Sequence, residues 1–538
     1  MMAISPTTRS RFTDGMSSVA KQLGVVTSSF LPTGLKPRAE MGSPPSRTQG
    51  RKCIRVHEGG LPVSERYFSA VKVHSLGVLS ALMLLPLQAV AQGTETAPAK
   101  PTAPAKAPEQ ITCIVGGDVW TVTKGNFKGG TVIMQGTKIL KVGGPDLKIP
   151  DGAKIIDAKG KVVTPGFIVT NASLGSGGLT GGQIKDSLDP FSLSISLALS
   201  SGITSAYVAG GAGGSGFGGR RGGGGARPPA AGGPLSTANA VIKMIEGDLD
   251  GMVAADPAIY TLSAGGGGGG RGFGGGGRFP GAGGGANGNL STRWEIRDQF
   301  SRAKTYLDKL AQADADRKAG KTVTNPTMPA DAATILPLLR KERILRVTAS
   351  TVSEIRWALK LVDDYGIKMV ITPATEAWVI PDEIAKRNVL VTILSRDRSM
   401  PDERRNASSG ANYDAAGILQ RAGIHVALLP SDTSFSTGGE LGRDLMTYPL
   451  EGAYAMRGGM DAQGALEALT ITAAQTLGME KRIGSLEEGK DADIVILSGD
   501  PLDYRSFVEK TFVNGKLLYD KANSTFFRDI KPITPTPN

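Results

Sequence analysis

The sequence predicts an α/β protein in which a parallel sheet covered by helices is flanked by antiparallel strands from both chain ends. Three observations predict it. Between Ile344 and Leu429 short apolar strands alternate with helix-period segments, the spacing that crossovers between parallel strands require. Near Ile111 and again from Ala492, β-rich runs are broken by Gly, Asn and Lys-Gly turns with no helical pattern between them. The 538 residues, 40% of them hydrophobic, suffice for two or three domains with a sizeable core, so a single small module is excluded.

In chain order, residues 1–70 are polar and rich in Pro, Ser and Arg, and are expected to be a non-native or disordered extension. In "KVHSLGVLSALMLLPLQAVAQG" a lysine precedes the apolar run Leu76 to Leu87, and the small residues Ala89, Val90 and Ala91 follow. This is the pattern of a secretory signal peptide over 71–91, with cleavage after Ala91. The run falls short of the about 20 residues that a spanning helix needs, so export is favoured over an uncleaved anchor. The mature chain is expected in the periplasm or outside the cell, without a membrane span. Residues 1–91 hold 11 basic and 4 acidic residues, which leaves 50 against 45 and a net charge of +5. The pI of 9.5 therefore belongs mostly to the precursor. Only Cys113 remains after cleavage, so no internal disulfide forms, and with no histidine nearby in sequence it reads as a buried apolar residue.

Residues 92–110, rich in Pro, Ala and Lys, read as an extended linker. Strands are expected over 111–163 and 490–525, where Asn514-Gly515 between apolar runs signals a two-residue hairpin. Over 164–489 the period changes. Thr292 and Glu295 give a capping-box signal for a long helix carrying Trp294, Phe300, Ala303, Leu307 and Leu310. "VSEIRWALKLVDDYG" places Ile355, Leu359 and Val362 on one helical face before Gly366. Helices around "PDEIAKRN" and "AAGILQRAG" then alternate with the strands "IKMVIT", "VLVTIL" and "IHVALL".

Two glycine-rich insertions, 209–235 and 264–289, interrupt this region and account for most of the excess among the 74 glycines. They carry Arg220, Arg221, Arg227, Arg271 and Arg278, three phenylalanines and no acidic residue. Arginine with interleaved aromatics in a flexible chain suits nucleic acid. This footprint is thin and export removes the chain from most nucleic acid, so flexible surface insertions are the favoured reading.

The strand "VTPGFIVTNASLG" is similar to the P-G-F-I-D-x-H-x-H-x-G strand of the amidohydrolase superfamily. The closing "IGSLEEGKDADIVILSGDPLD" and "FVNGKLLYD" resemble that family's last segment. "LALSSGITSAYVAGG", "ANAVIKMIEGDLDGMVAADP" and "LVDDYGIKMVITPATEAWVIPDEIAK" resemble its imidazolonepropionase-like branch, so the resemblance runs from about Ile111 to Asp520. It implies a TIM-like (β/α)8 barrel with a small β-sandwich built from both chain ends. It also implies hydrolysis of non-peptide C–N bonds by a hydroxide on zinc or another divalent metal, held at the C-terminal ends of barrel strands.

Carried over residue by residue, the two histidines of the first strand fall on Asn171 and Ser173 and its aspartate on Val169. The later histidines fall on Thr348, Ser350 and Pro373. The aspartate of the last strand remains as Asp432, the one retained candidate for a catalytic role, and Glu376 matches a glutamate near that site. Of the chain's three histidines, His57 and His74 precede the expected cleavage. His425 lies seven residues before Asp432, too far along one strand at about 3.3 Å per residue to share its site. No histidine-rich zinc site follows from this chain, and no metal or other cofactor is expected.

An oxygen-only site from Glu354, Glu376, Asp382, Glu383 and Asp432 would suit magnesium or calcium, but helix starts and caps are the plainer reading of Glu354, Asp382 and Glu383. Lys243 as a carboxylated ligand has nothing to bridge without histidines. Ser173, Ser350 and Ser431 are expected near the mouth, lacking a histidine base. Three functions follow in order of preference. The first is an exported amidohydrolase-like protein that has lost metal-dependent hydrolysis and acts as a binding or scaffold pseudoenzyme, for a small molecule or protein partner, with oligomerisation open. The second is an active hydrolase of cyclic amides or related compounds through an atypical site around Asp432, and the third is nucleic-acid binding by the insertions. Translation is expected to begin nearer Val71 or Val73, so mass spectrometry of the intact precursor should find no peptide from residues 1–60. Finding such peptides contradicts this start.

Overall fold

The computed structural model describes residues 110–174, 184–209, 235–263, 286–398, 410–435 and 445–530. The expected leader, the linker up to 109 and both glycine insertions, apart from their end residues, lie outside this set. Strands β1 (Ile111–Trp120), β2 (Asn126–Gln135) and β3 (Lys138–Gly143) form an antiparallel meander, and β4 (Lys154–Asp157) and β5 (Val162–Pro165) both run parallel to β1. At the other end of the chain β16 (Ile494–Leu497), β17 (Val508–Val513) and β18 (Lys516–Asp520) extend the same sheet through an antiparallel β5–β16 pair. The first and last described strands thus join one eight-stranded sheet, seven of them in the order β18-β17-β16-β5-β1-β2-β3 with β4 beside β1 off that path, where two packed sheets were expected. The β17–β18 hairpin turns on Asn514 and Gly515, with φ of 49° and 73°, the left-handed pair a type I′ turn needs.

From β5 the chain passes through Gly166 into β6 (Phe167–Ala172). A Cβ at Gly166 would lie 2.0 Å from Thr204 Oγ1, so only glycine allows this passage. Parallel to β6 runs β7 (Ile203–Ala209). Then come β8 (Leu235–Ser236), β9 (Asn239–Lys243) and β10 (Val253–Ala255), followed by β11 (Tyr260–Ser263), β12 (Leu345–Thr348), β13 (Met369–Thr372), β14 (Leu390–Ile393) and β15 (Val426–Leu428). They make two sheets, ordered β10-β9-β7-β6 and β15-β14-β13-β12-β11-β8. β11 to β15 are parallel, as the alternating pattern predicts. β9 is antiparallel to β7 and β8 to β11, a departure from the all-parallel expectation. A parallel neighbour needs a crossover, usually a helix, and the sequence between β7 and β9 has no helical period.

β6, β7, β9 and β12 to β15 are buried along most of their length, as in sheets covered on both faces, whereas β8, β10 and most of β11 are not. The helix Val352–Tyr365 supplies part of that cover. Thr351 and Glu354 form its capping box, Ile355 and Leu359 are buried, and Gly366 ends it at φ 64°. The long helix starts at Ala286, six residues before the expected cap at Thr292. Its buried stripe is Ile296, Phe300 and Ala303, with Leu307 and Leu310 half-buried. Trp294, two positions from Ile296 and so about 200° round the helix, is 71% exposed rather than in the stripe.

Lys243 at the end of β9 joins the body to the flanking sheet. Its ammonium is buried, 2.7 Å from Asp491 and 3.0 Å from Asp493, and it also donates to Asn514 of the hairpin. Asp491 further pairs with Lys138 at 2.6 Å and Arg482 at 3.0 Å. Burial pushes the Asp491 carboxyl up, but Lys243, Lys138 and Arg482 outweigh it and hold the group below the usual carboxylate range. At Asp493 burial wins over Lys243 and the Asn514 N–H, and its carboxyl is raised. Replacing Lys243 with Met leaves two buried carboxylates without their shared cation. The expected loss is about 3–5 kcal/mol, read as a lower urea midpoint, whereas a loss under about 1 kcal/mol, typical of an exposed pair, contradicts this role.

Candidate functional site

The carried-over positions sit at the C-terminal ends of the parallel strands. Asn171 is half-buried in β6, and Ser173 just beyond it is exposed. Thr348 ends β12 and is exposed, while Ser350 and Pro373, which follow β12 and β13, are half-buried. Asp432 lies exposed four residues past β15. These residues fall into two groups. In the first, the Ser173 N–H donates to Thr433 O at 2.6 Å and the Ser173 hydroxyl to Thr433 Oγ1 at 3.1 Å, which brings β6 beside Asp432. Asp432 Oδ1 accepts from both the N–H and the hydroxyl of Ser434, each at 3.1 Å. That is a local Asx turn.

In the second group, Glu376 is buried and acts as a clamp. Its two oxygens accept from the N–H of Val352 at 2.8 Å and of Gly410 at 2.9 Å, and its own N–H donates to Ser350 O at 2.9 Å. Glu354 accepts from the N–H groups of Ser350 and Thr351. Asp382 and Glu383 open the helix Pro381–Ala385, and Glu383 pairs with Arg356 at 2.6 Å. His425 is exposed just before β15, at the far end of that strand from Asp432. Lys243 is committed to Asp491 and Asp493, so it is not a ligand at this edge.

Below the strand ends the interior is occupied by Arg346 of β12, which is buried. Its guanidinium donates to Thr170 O of β6 at 2.8 Å and Thr372 Oγ1 at 3.2 Å and lies 4.5 Å from the Tyr207 ring centre. Burial lowers its pKa from the usual arginine value, opposed by Tyr207. Thr392 donates to Thr372 Oγ1 at 2.6 Å and completes the polar layer. Residues two apart on a strand share a face, so Thr348 stands directly above this fixed positive charge.

One buried acidic group lies outside the carried-over positions. Glu451, in the first turn of the helix Pro449–Arg457, is 1% exposed. Its carboxylate accepts from the hydroxyls of Ser395 at 2.7 Å and Ser431 at 2.8 Å and pairs with Arg396 at 2.9 Å. Arg396 in turn lies 4.6 Å from the Tyr454 ring centre. Burial raises the Glu451 carboxyl above the usual glutamate range, against Arg396 and both serines. A first-turn glutamate after proline reads as an exposed helix start. The available signal was spacing, because Tyr448, Glu451 and Ala455 form a buried stripe at helical intervals.

This donor set does not fit a catalytic divalent metal. Among the described residues no group of three or more His, Cys, Asp or Glu side chains converges on a point that holds a metal ion. Both oxygens of Glu376 are taken by backbone N–H groups, Asp432 is turned to Ser434, and Arg346 places a cation beneath the strand ends.

The raised Glu451 carboxyl fixes a pH dependence. The folded state holds that proton more tightly than the unfolded one, so this part of the stability is full below about pH 4.3 and falls as pH rises from there through the folded value. Glu451→Gln should flatten that portion of a urea-midpoint profile against pH. An unchanged profile contradicts the assignment.

A family model described as the amidohydrolase family matches residues 347–519. Over 69 residues the chain is 46% identical to an imidazolonepropionase of Thermoplasma volcanium, covering 12% of this chain and 17% of that one. Over 120 residues it is 31% identical to an imidazolonepropionase of Treponema denticola, covering 21% and 28%. The matching segments thus span under a third of those relatives' own length. An amidohydrolase from Thermotoga maritima aligns over 76% of this chain and 100% of its own, with 24% identity and a TM-score of 0.55. The chain is therefore an α/β protein of amidohydrolase fold, and its segment 347–519 matches the amidohydrolase family.

Proposed function

We propose that this is an exported, imidazolonepropionase-like protein that has lost metal-dependent hydrolysis and acts by binding a small molecule or protein partner. The observation that carries the reading is the state of the strand ends. Where the resemblance places metal ligands stand Asn171, Ser173, Thr348, Ser350 and Pro373, and the neighbouring carboxylates serve backbone N–H groups and hydroxyls. The small polar side chains at four of these five positions suit a hydrated binding cleft better than a Lewis-acid centre. The proposal includes closure of the two body sheets into a (β/α)8-type barrel. Tyr448 supports it, its hydroxyl lying 2.9 Å from Ile168 O of β6 and 3.1 Å from Leu428 O of β15, and Arg346 spans from β12 to β6.

A second reading, hydrolysis without a metal, has one observation in its favour. The Ser431 hydroxyl donates to the buried Glu451 carboxylate at 2.8 Å, one residue from Asp432. A nucleophile hydrogen-bonded to a base of raised pKa is the arrangement that serine chemistry requires. Turnover of cyclic amides by the protein supplemented with zinc or manganese separates the readings. The binding reading expects no rate above buffer, in the wild type or in Ser431→Ala and Asp432→Ala. Turnover that survives chelation but is lost in Ser431→Ala establishes the second reading, and turnover abolished by chelation overturns both.

A further inference from the structure

A cavity of about 240 Å³ lies between the end of the helix Leu193–Ser200, the start of the helix Pro449–Arg457, strands β16 to β18 and the segment reaching Ile530. None of the carried-over site positions lines it. Leu450, Leu497, Pro501, Phe507, Val508 and Phe527 give it an apolar wall. Lys521 also lines it, and that residue is only 7% exposed. Its ammonium donates to Ile530 O and lies 5.2 Å from the Phe507 ring centre, and no carboxylate among the described residues pairs with it. Asp503, in the same wall, is held by Arg505 at 2.5 Å. The Ser506 hydroxyl, also in the wall, makes no hydrogen bond to another described residue.

A buried ammonium is stable when a counter-charge or several acceptors meet it. Lys521 has one carbonyl and a ring face, so two donor positions remain beside an apolar chamber. An engineered cavity of about 150 Å³ holds benzene, so this one has room for a ring with a short substituent. We propose that the cavity is a second ligand site, separate from the strand ends, that binds a small monocarboxylate with an aromatic or branched aliphatic body. The carboxylate pairs with Lys521 and accepts from Ser506, and the apolar body packs between Phe507, Leu450 and Phe527. Because the site shares no residue with the strand ends, it stands or falls independently of the binding reading given above.

The test is titration calorimetry of the mature protein with phenylacetate and with its neutral isostere phenylacetamide. Phenylacetate should bind about tenfold or more tightly than the amide, the increment of a hydrogen bond to a charged group. Lys521→Met should remove that difference, and Leu450→Trp, which fills the chamber from another element and keeps the lysine, should abolish binding of both. Equal affinity for the two probes overturns the proposal, as does no binding of either or phenylacetate binding that survives Lys521→Met. Should Lys521→Met fail to fold, undiminished phenylacetate binding by Leu450→Trp overturns it equally.

Discussion

The buried ion cluster around Lys243 is the constraint on which the rest of the structure depends. Three parts of the chain meet there that are distant in sequence: β3 through Lys138, β9 through Lys243, and the closing segment through Asp491, Asp493 and Asn514. Each carboxylate or ammonium taken from water carries a penalty of several kcal/mol, which only mutual pairing offsets. The cluster therefore selects one register. If β9 slipped by one residue, Lys243 would face the other side of its sheet and leave Asp491 and Asp493 as adjacent buried anions. In this way the composite flanking sheet is fixed to the body by charge as well as by apolar packing.

The cluster lies at the opposite end of the strands from the candidate site. Lys243 pairs in register with Ser205, near the start of β7, whereas Asn171, Thr348 and Pro373 stand at the C-terminal ends of their strands. Barrel-type folds separate stability from chemistry in this manner, with stabilising residues at one end of the strands and reactive ones at the other. Substitutions at Asn171 and Thr348 therefore leave the ion cluster untouched. The polar layer of Arg346, Tyr207, Thr170 and Thr372 lies between the two ends, and the Arg346 hydrogen bond to Thr170 O links β12 to β6.

Much of this was legible where the signal is local. The helix Val352–Tyr365 announces itself through the face of Ile355 and Leu359 and through Gly366, and the hairpin through Asn514-Gly515, because helical faces, C-caps and tight turns are set by residues close in sequence. The antiparallel path of β8 to β10 was hidden, since strand direction follows from the route of the connection and not from the strand's own residues. The buried roles of Glu451 and Lys243 were hidden for a related reason. Glu451 looks like an ordinary surface charge and Lys243 like a ligand candidate with nothing to bridge until partners dozens or hundreds of residues away, Ser395 for one and Asp491 for the other, are brought against them. The candidate site was legible as a set of substitutions, but the commitment of Glu376 to two backbone N–H groups emerges only from the folded chain.

The central claim is that the strand ends keep the amidohydrolase scaffold without its metal. Elemental analysis of the protein, expressed from Gln92 onward, after dialysis against trace zinc, manganese and magnesium, tests it most directly. The account predicts metal far below one ion per chain, with no difference between the wild type and Asp432→Ala. Near-stoichiometric metal in the wild type that disappears in Asp432→Ala would contradict it.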